Sequence, residues 1–342
     1  MLTIFAVTVV YALFLLSRIP ANKSNHFSRQ LPPHVLIEKG GLSWQPNPWH
    51  LAGNDDSSFF LSHRQFLNVV MRVGKNKLDT TVSTIRLKNN MDQKFSSAAL
   101  LLIDSGMFYL TDGKTGQIYR GNTVMWNAKL MDTNMPFFDK TVVLNENVYS
   151  RSIQPPHGFV LGERNTTTGK QAYFSDLLER QVDGFFDKDG TLLKDSYHNY
   201  IIYLYRYRNQ FLVMDTAMRL LYKGKTIDTV THVRLKLGST DQGKETKMAT
   251  PPPTVNQSAC TANGYLFINS ALRADNEQVD LTKEASVIDV YDLKNGDYRF
   301  SFYISNSNNE KTQQFLISGN LLAVMYPHQL KIFQLAGKYF NH

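Results

Sequence analysis

The 342-residue chain is 42% hydrophobic and 12% aromatic, with 37 Lys and Arg against 29 Asp and Glu. This apolar content excludes a disordered chain, and a single cysteine, Cys260, excludes an internal disulfide. The formal net charge of +8 is spread along the chain without basic runs. It describes a basic solvated surface, and no nucleic-acid partner is expected.

The chain opens on Leu2–Leu16 (LTIFAVTVVYALFLL), fifteen residues without a charge. As a helix they rise roughly 22 Å, short against a hydrocarbon core of about 30 Å; Met1, Ile19 and a snorkelling Arg18 extend the reach. An uncleaved membrane anchor or signal segment is expected over residues 1–20, with the membrane as partner through residues 2–19. Cleavage would release a secreted domain instead, but no basic leading region and no A-x-A site support it. A third reading, a helix of the folded domain, conflicts with a stretch that is apolar all round. Arg18, Lys23 and Arg29 follow the span, and the positive-inside rule alone would keep the domain cytoplasmic. Long folded domains translocate largely regardless of that bias, so a periplasmic domain is the expectation. Residues 21–39 read as a linker and 40–338 as the folded domain.

From Gly40 to Leu335 short apolar or alternating runs recur between Gly, Asn, Asp and Lys. Among them are Ser58–Ser62 (SFFLS), Ala98–Ile103, Lys140–Asn145, Tyr200–Tyr205, Tyr265–Asn269, Ser286–Tyr291 and Leu330–Leu335. Their lengths and spacing predict strands, and no long stretch keeps a helical period. Asp112–Gly116, Asp187–Gly190 and Lys294–Asp297 supply hairpin turns. Many hairpins over this length predict an all-β β-propeller of six blades, each of four antiparallel strands, preceded by the N-terminal apolar helix. The strands group into blades near 43–90, 95–135, 138–180, 183–230, 231–293 and 297–335, with His34–Trp44 available to close the ring. Gly238–Pro253 (GSTDQGKETKMATPPP) is polar and then proline-rich, and reads as a long loop that no central strand can contain.

Several segments in succession carry a resemblance: Gln181–Gly190 (QVDGFFDKDG), Tyr205–Phe211 (YRYRNQF), Tyr222–Thr229 (YKGKTIDT), Pro251–Asn256 (PPPTVN), Tyr265–Ser270 (YLFINS) and Ala285–Leu293 (ASVIDVYDL). With Phe27–His34 (FSRQLPPH) after the apolar segment, the chain resembles an uncharacterised TolB-like six-bladed propeller family found mainly in Bacteroidetes. The resemblance implies a propeller and no particular activity.

No HExxH, GxSxG, GxGxxG or Walker motif is present, and the nine histidines are dispersed. No catalytic residue, metal or cofactor is therefore expected. Asp187-Lys188-Asp189-Gly190 lacks the acidic partners of a calcium loop, since those places hold Phe185 and Ser196. The Tyr203–Asn209 stretch (YLYRYRN) would, as a strand, put three tyrosines on one face and Arg206 and Arg208 on the other. Arg206, Arg208 and Arg151 are the candidates to bind an anionic ligand or an envelope partner; the structural alternatives are blade packing and internal ion pairs. Together these features point to a membrane-tethered binding or scaffolding module, with a hydrolase or lyase acting on a glycan or peptide at the channel mouth as the alternative.

Overall fold

The computed structural model describes residues 24–340 apart from 46–47, 89–94, 133–134, 146, 235, 241–244 and 251. The expected N-terminal helix lies outside these residues, and no described helix is long and apolar enough to cross a membrane.

Six four-stranded antiparallel units follow one another. The first is Trp49–Asn54, Ser58–His63, Val69–Gly74 and Thr80–Thr84; the second is Ala99–Asp104, Met107–Asp112, Gln117–Asn122 and Asn127–Asp132. The third is Phe138–Leu144, Asn147–Gln154, Gly158–Asn165 and Gln171–Phe174; the fourth is Gly190–Asp195, Tyr200–Tyr205, Gln210–Met214 and Leu220–Lys225. Asn256–Ala262, Tyr265–Ser270, Ala285–Asp292 and Tyr298–Ser305 make the fifth. The sixth joins Gln314–Ser318, Leu321–Met325 and Gln329–Leu335 to the N-terminal strand Leu36–Ser43. This all-β arrangement is consistent with a β-propeller.

The apolar runs have a direct cause. Alternate side chains of one strand enter the cores on either side of its sheet. Tyr203 and Tyr205 join Tyr149 and Leu161 of the third blade, while Ile202 and Leu204 join Leu266 and Ile268 of the fifth. Phe59 and Leu61 meet Ala323 and Met325 of the sixth blade, while Phe60 meets Leu101 and Phe108 of the second. The remaining clusters join blades two and three and blades five and six, so each of the six interfaces has its own core. A strand buried on both faces is apolar at nearly every position, which is why YIIYLY and YLFINS do not alternate.

The first two blades merge through a short parallel pairing of Gly53 and Asn54 with Ile103 and Asp104. Gly53 sits at φ +148°, and a Cβ there would lie 1.7 Å from the Ile103 carbonyl oxygen, so only glycine permits this approach.

Three sequence boundaries shift. Tyr298–Ser305 pairs with Ala285–Asp292 and belongs to the fifth blade rather than the sixth. The sixth is completed by Leu36–Ser43, antiparallel to Gln329–Leu335, so the chain's two ends close the ring. Most of the segment read as a linker is therefore part of the domain: residues 24–31 pack on the fifth blade and Leu36 begins the closing strand. The polar insertion is a hairpin, Lys236–Thr240 with Glu245–Thr250, outside the six blades. Pro252 and Pro253 lie beyond the ladder, where a missing N–H costs nothing.

Candidate functional site

The first strands of the six blades converge on a central cavity of about 650 Å³, large enough for a small ligand. Leu51, Leu102, Val142, Leu193, Ala259 and Leu316, one from each first strand, line it. The cavity lies where these strands end, and there polar groups tie blade to blade. Lys194 Nζ of the fourth blade donates to Asp104 Oδ2 of the second (2.6 Å) and to the Val143 carbonyl of the third (2.5 Å). Thr261 Oγ1 of the fifth donates back to the Lys194 carbonyl. Asn263 Nδ2 donates to the Gly319 carbonyl of the sixth (2.9 Å), and Asn54 Nδ2 of the first donates to Ser318 Oγ of the sixth (2.7 Å). With the backbone pairing of blades one and two, these links run round the whole ring.

The charged pair at the mouth is thus spent on holding blades together, and an aliphatic side chain from each blade shares the walls with Ser258, Thr261, Gln314 and Ser318. Cys260 lines the same cavity, buried, and burial pushes its thiol up to about 12, so it is neutral at physiological pH. No group of three or more His, Cys, Asp or Glu side chains able to hold a metal occurs among the described residues. Asp195, which lines the cavity, accepts from the His198 backbone N–H (2.9 Å) and pairs with its Nδ1 (2.8 Å), and Tyr200 stacks on the imidazole.

The three arginines singled out in the sequence lie at the opposite end, where the first strands of blades three to five begin. They gather round the Asp187–Gly190 turn. Arg151, on the second strand of blade three, is buried. Its guanidinium binds both Asp139 carboxylate oxygens, Asp189 Oδ1 (2.9 Å) and Tyr203 Oη (2.9 Å), and lies 4.0 Å from the Phe159 ring centroid. Burial opposes its charge, but Tyr203, Asp139 and Asp189 outweigh that and hold its pKa above the ordinary arginine value. Burial raises the Tyr203 hydroxyl as well, so it stays neutral.

Arg206 is 41% exposed and approaches Asp189 Oδ2 only to 3.9 Å. The strand ends at Tyr205, so the alternation expected for Tyr203–Asn209 stops there. Arg208 instead turns inward over the Tyr205 ring, 3.6 Å from its centroid. It is fully buried, its Nη2 reaches the Glu179 carbonyl at 3.4 Å, and its Nε and Nη1 have no hydrogen-bond partner.

The turn itself is built by carboxylates facing backbone. Asp187 accepts from the N–H groups of Gln181, Val182 (2.5 Å) and Gly184 (2.7 Å). Burial raises its pKa, but those donors more than reverse this and hold the carboxylate charged to low pH. Lys188 is buried beside it and donates to the His157 and Phe159 carbonyls (2.9 and 3.1 Å).

Sequence reasoning missed Lys194, Asp104 and the apolar ring of the cavity. Their one signal is position, at or near the end of the first strand of a blade, and it becomes visible only when the blade boundaries are right.

Fold and site together define an all-β, propeller-type protein with a ligand-sized axial cavity. No family model matches the chain, and no curated protein matches it. Among solved structures, a member of the duf4221 family from Bacteroides vulgatus is similar over 88% of this chain and 97% of its own, with TM-score 0.53 and 9% identity. A streptogramin B lyase aligns over 88% of this chain and 97% of its own at TM-score 0.49 and 10% identity. The virginiamycin B lyase of Staphylococcus aureus, in a catalytically inactive form with quinupristin, aligns over 87% and 99% at TM-score 0.48 and 12% identity. The first likeness speaks to the fold alone, and the two lyases carry no activity to this chain.

Proposed function

We propose that this protein is a binding or scaffolding module, held at a membrane through residues 2–19 with its propeller in the periplasm. Cleavage of that segment would give the same module in secreted form. The observation that carries the binding role is the cavity: about 650 Å³ with an aliphatic side chain from each blade in its mixed wall, and the mouth's charged pair satisfied between blades. Such a site suits an apolar or amphipathic ligand, or an apolar side chain of an envelope protein. An anionic ligand is a second possibility on the other face, where the Arg206 side chain is exposed. The TolB-like kinship belongs to the same proposal; the fold supports its propeller part.

Titration with 1-anilinonaphthalene-8-sulfonate tests the cavity. The wild type is expected to enhance the dye's fluorescence, and Ala259→Trp, which narrows the cavity, to weaken the response while keeping the wild-type circular dichroism. An undiminished response in that folded variant would move binding elsewhere. Fractionation with a C-terminal reporter tests the location; a cytoplasmic, carbonate-soluble reporter would contradict the tether.

One observation favours the hydrolase or lyase alternative. Asp195, in the cavity lining, orients the neighbouring His198 imidazole as a carboxylate orients a general base. Turnover of a glycan or peptide panel that is lost in His198→Ala would establish it; equal rates for both proteins would remove it.

A further inference from the structure

The N-terminal segment leaves the described structure on the same face as the arginine cluster, and it does so tightly fastened. Ser24 Oγ and the Asn25 N–H donate to Asp275 (2.6 and 2.8 Å), and the Asn25 carbonyl accepts from Thr229 Oγ1 (2.9 Å). Only residues 20–23 separate this fastening from the apolar segment that ends at Ile19. Five residue steps reach at most about 18 Å when fully extended. A tether that short does not let the domain tumble; it presses one face toward the bilayer.

The face beside Thr229 has the chemistry of an interfacial patch. Arg180, Val182 and Phe185 are exposed on the loop before the fourth blade. His232 and Arg234, also exposed, join that loop through Gln181, which donates to the Thr231 carbonyl (3.2 Å) and accepts from the Val233 N–H (3.0 Å). Nearby acidic groups have partners: the exposed Glu179 pairs with Lys223 (3.5 Å). Asp183 accepts from the Phe185 and Phe186 N–H groups (3.1 and 3.0 Å), and Asp275 is taken up by residues 24–26. Cationic side chains flanking exposed apolar ones fit the boundary between anionic headgroups and acyl chains.

We infer that the propeller docks on an anionic phospholipid surface through Arg180, Val182, Phe185, His232 and Arg234, leaving the axial cavity facing away from the membrane. This rests on the tethered reading above. Tyr197, 61% exposed beside the cavity mouth, then points to solvent.

The test uses the full chain reconstituted in vesicles of phosphatidylcholine and phosphatidylglycerol containing nitroxide-labelled lipid. A fluorophore is placed by maleimide at Phe185→Cys or at Tyr197→Cys; the buried, neutral Cys260 does not compete. Quenching is expected at position 185 and not at 197. The double substitution Arg180→Glu and Arg234→Glu is expected to remove it while the protein stays carbonate-resistant in the vesicles. Equal quenching at the two positions in stably anchored protein would overturn the docking alone. Protein that carbonate strips from the vesicles would overturn the tether and the docking together.

Discussion

Arg151 and Arg206 share Asp189, yet they should behave oppositely on substitution. Arg151→Ala strands two carboxylates and removes the stacking on Phe159, and a loss of about 3 kcal/mol is expected in urea unfolding. Arg206 makes a long, exposed contact with a value below about 1 kcal/mol, so Arg206→Ala should leave the midpoint nearly unchanged. Arg208 differs from both. Two of its guanidinium nitrogens are buried without a partner, so Arg208→Met, which keeps the stem's packing, should equal or exceed the wild type in thermal stability. A drop of several degrees would show that the buried charge is compensated. The sequence singled out all three arginines by their unusual setting but could not separate them. Exposure and pairing depend on Asp139, Asp189 and Tyr203, which come from three different strands or their approaches.

At the scale of the element, the turns are held by carboxylates that accept backbone N–H groups. Asp112, at the end of a second strand, accepts from Ser96 Oγ (2.6 Å), the Ser96 N–H (2.7 Å) and the Lys114 N–H (3.1 Å). Burial pushes its pKa up, but these donors outweigh it and hold the carboxyl below its ordinary value. The folded pKa is therefore lower than the unfolded value of about 3.9. The stability it contributes is fully present above that value and is lost as the pH falls through the folded one. Asp112→Asn should cost about 1–2 kcal/mol at neutral pH, with the gap to the wild type closing as the pH falls through the lowered folded pKa. A gap independent of pH would assign the cost to shape rather than charge. Asp112 and the turn after it were legible in the sequence as DGKTG. The hairpin at 236–250 was not, because polar residues without alternation carry no strand signal.

For the whole molecule, the decisive feature is closure. The strand Leu36–Ser43 completes the last blade, and Arg29 fastens the segment before it. Arg29 is buried and pairs bidentately with Asp289 and with Glu277; burial opposes its charge, and the two carboxylates reverse that and raise its pKa. Arg29→Ala leaves both carboxylates buried, and a loss of roughly 3–5 kcal/mol is expected in chemical unfolding. Arg29→Lys, which cannot make the bidentate fork, should recover only part of it. Recovery in full would reduce the contact to simple charge. The number and order of blades were largely legible because nearly every second strand is an apolar run. The closing strand was legible only as a possibility, since Leu36–Ser43 (LIEKGGLS) is mostly exposed and weakly patterned. The cavity was not legible at all: the aliphatic residues in its wall are ordinary positions until six first strands are brought together.

Amide hydrogen exchange with and without saturating 1-anilinonaphthalene-8-sulfonate tests the binding cavity most directly. The account predicts slowed exchange at 51–54, 102–104, 193–197, 258–263 and 314–318, where the first strands end around the cavity. Protection confined to 151–156, 179–189 and 206–209 would contradict it and place binding at the arginine face.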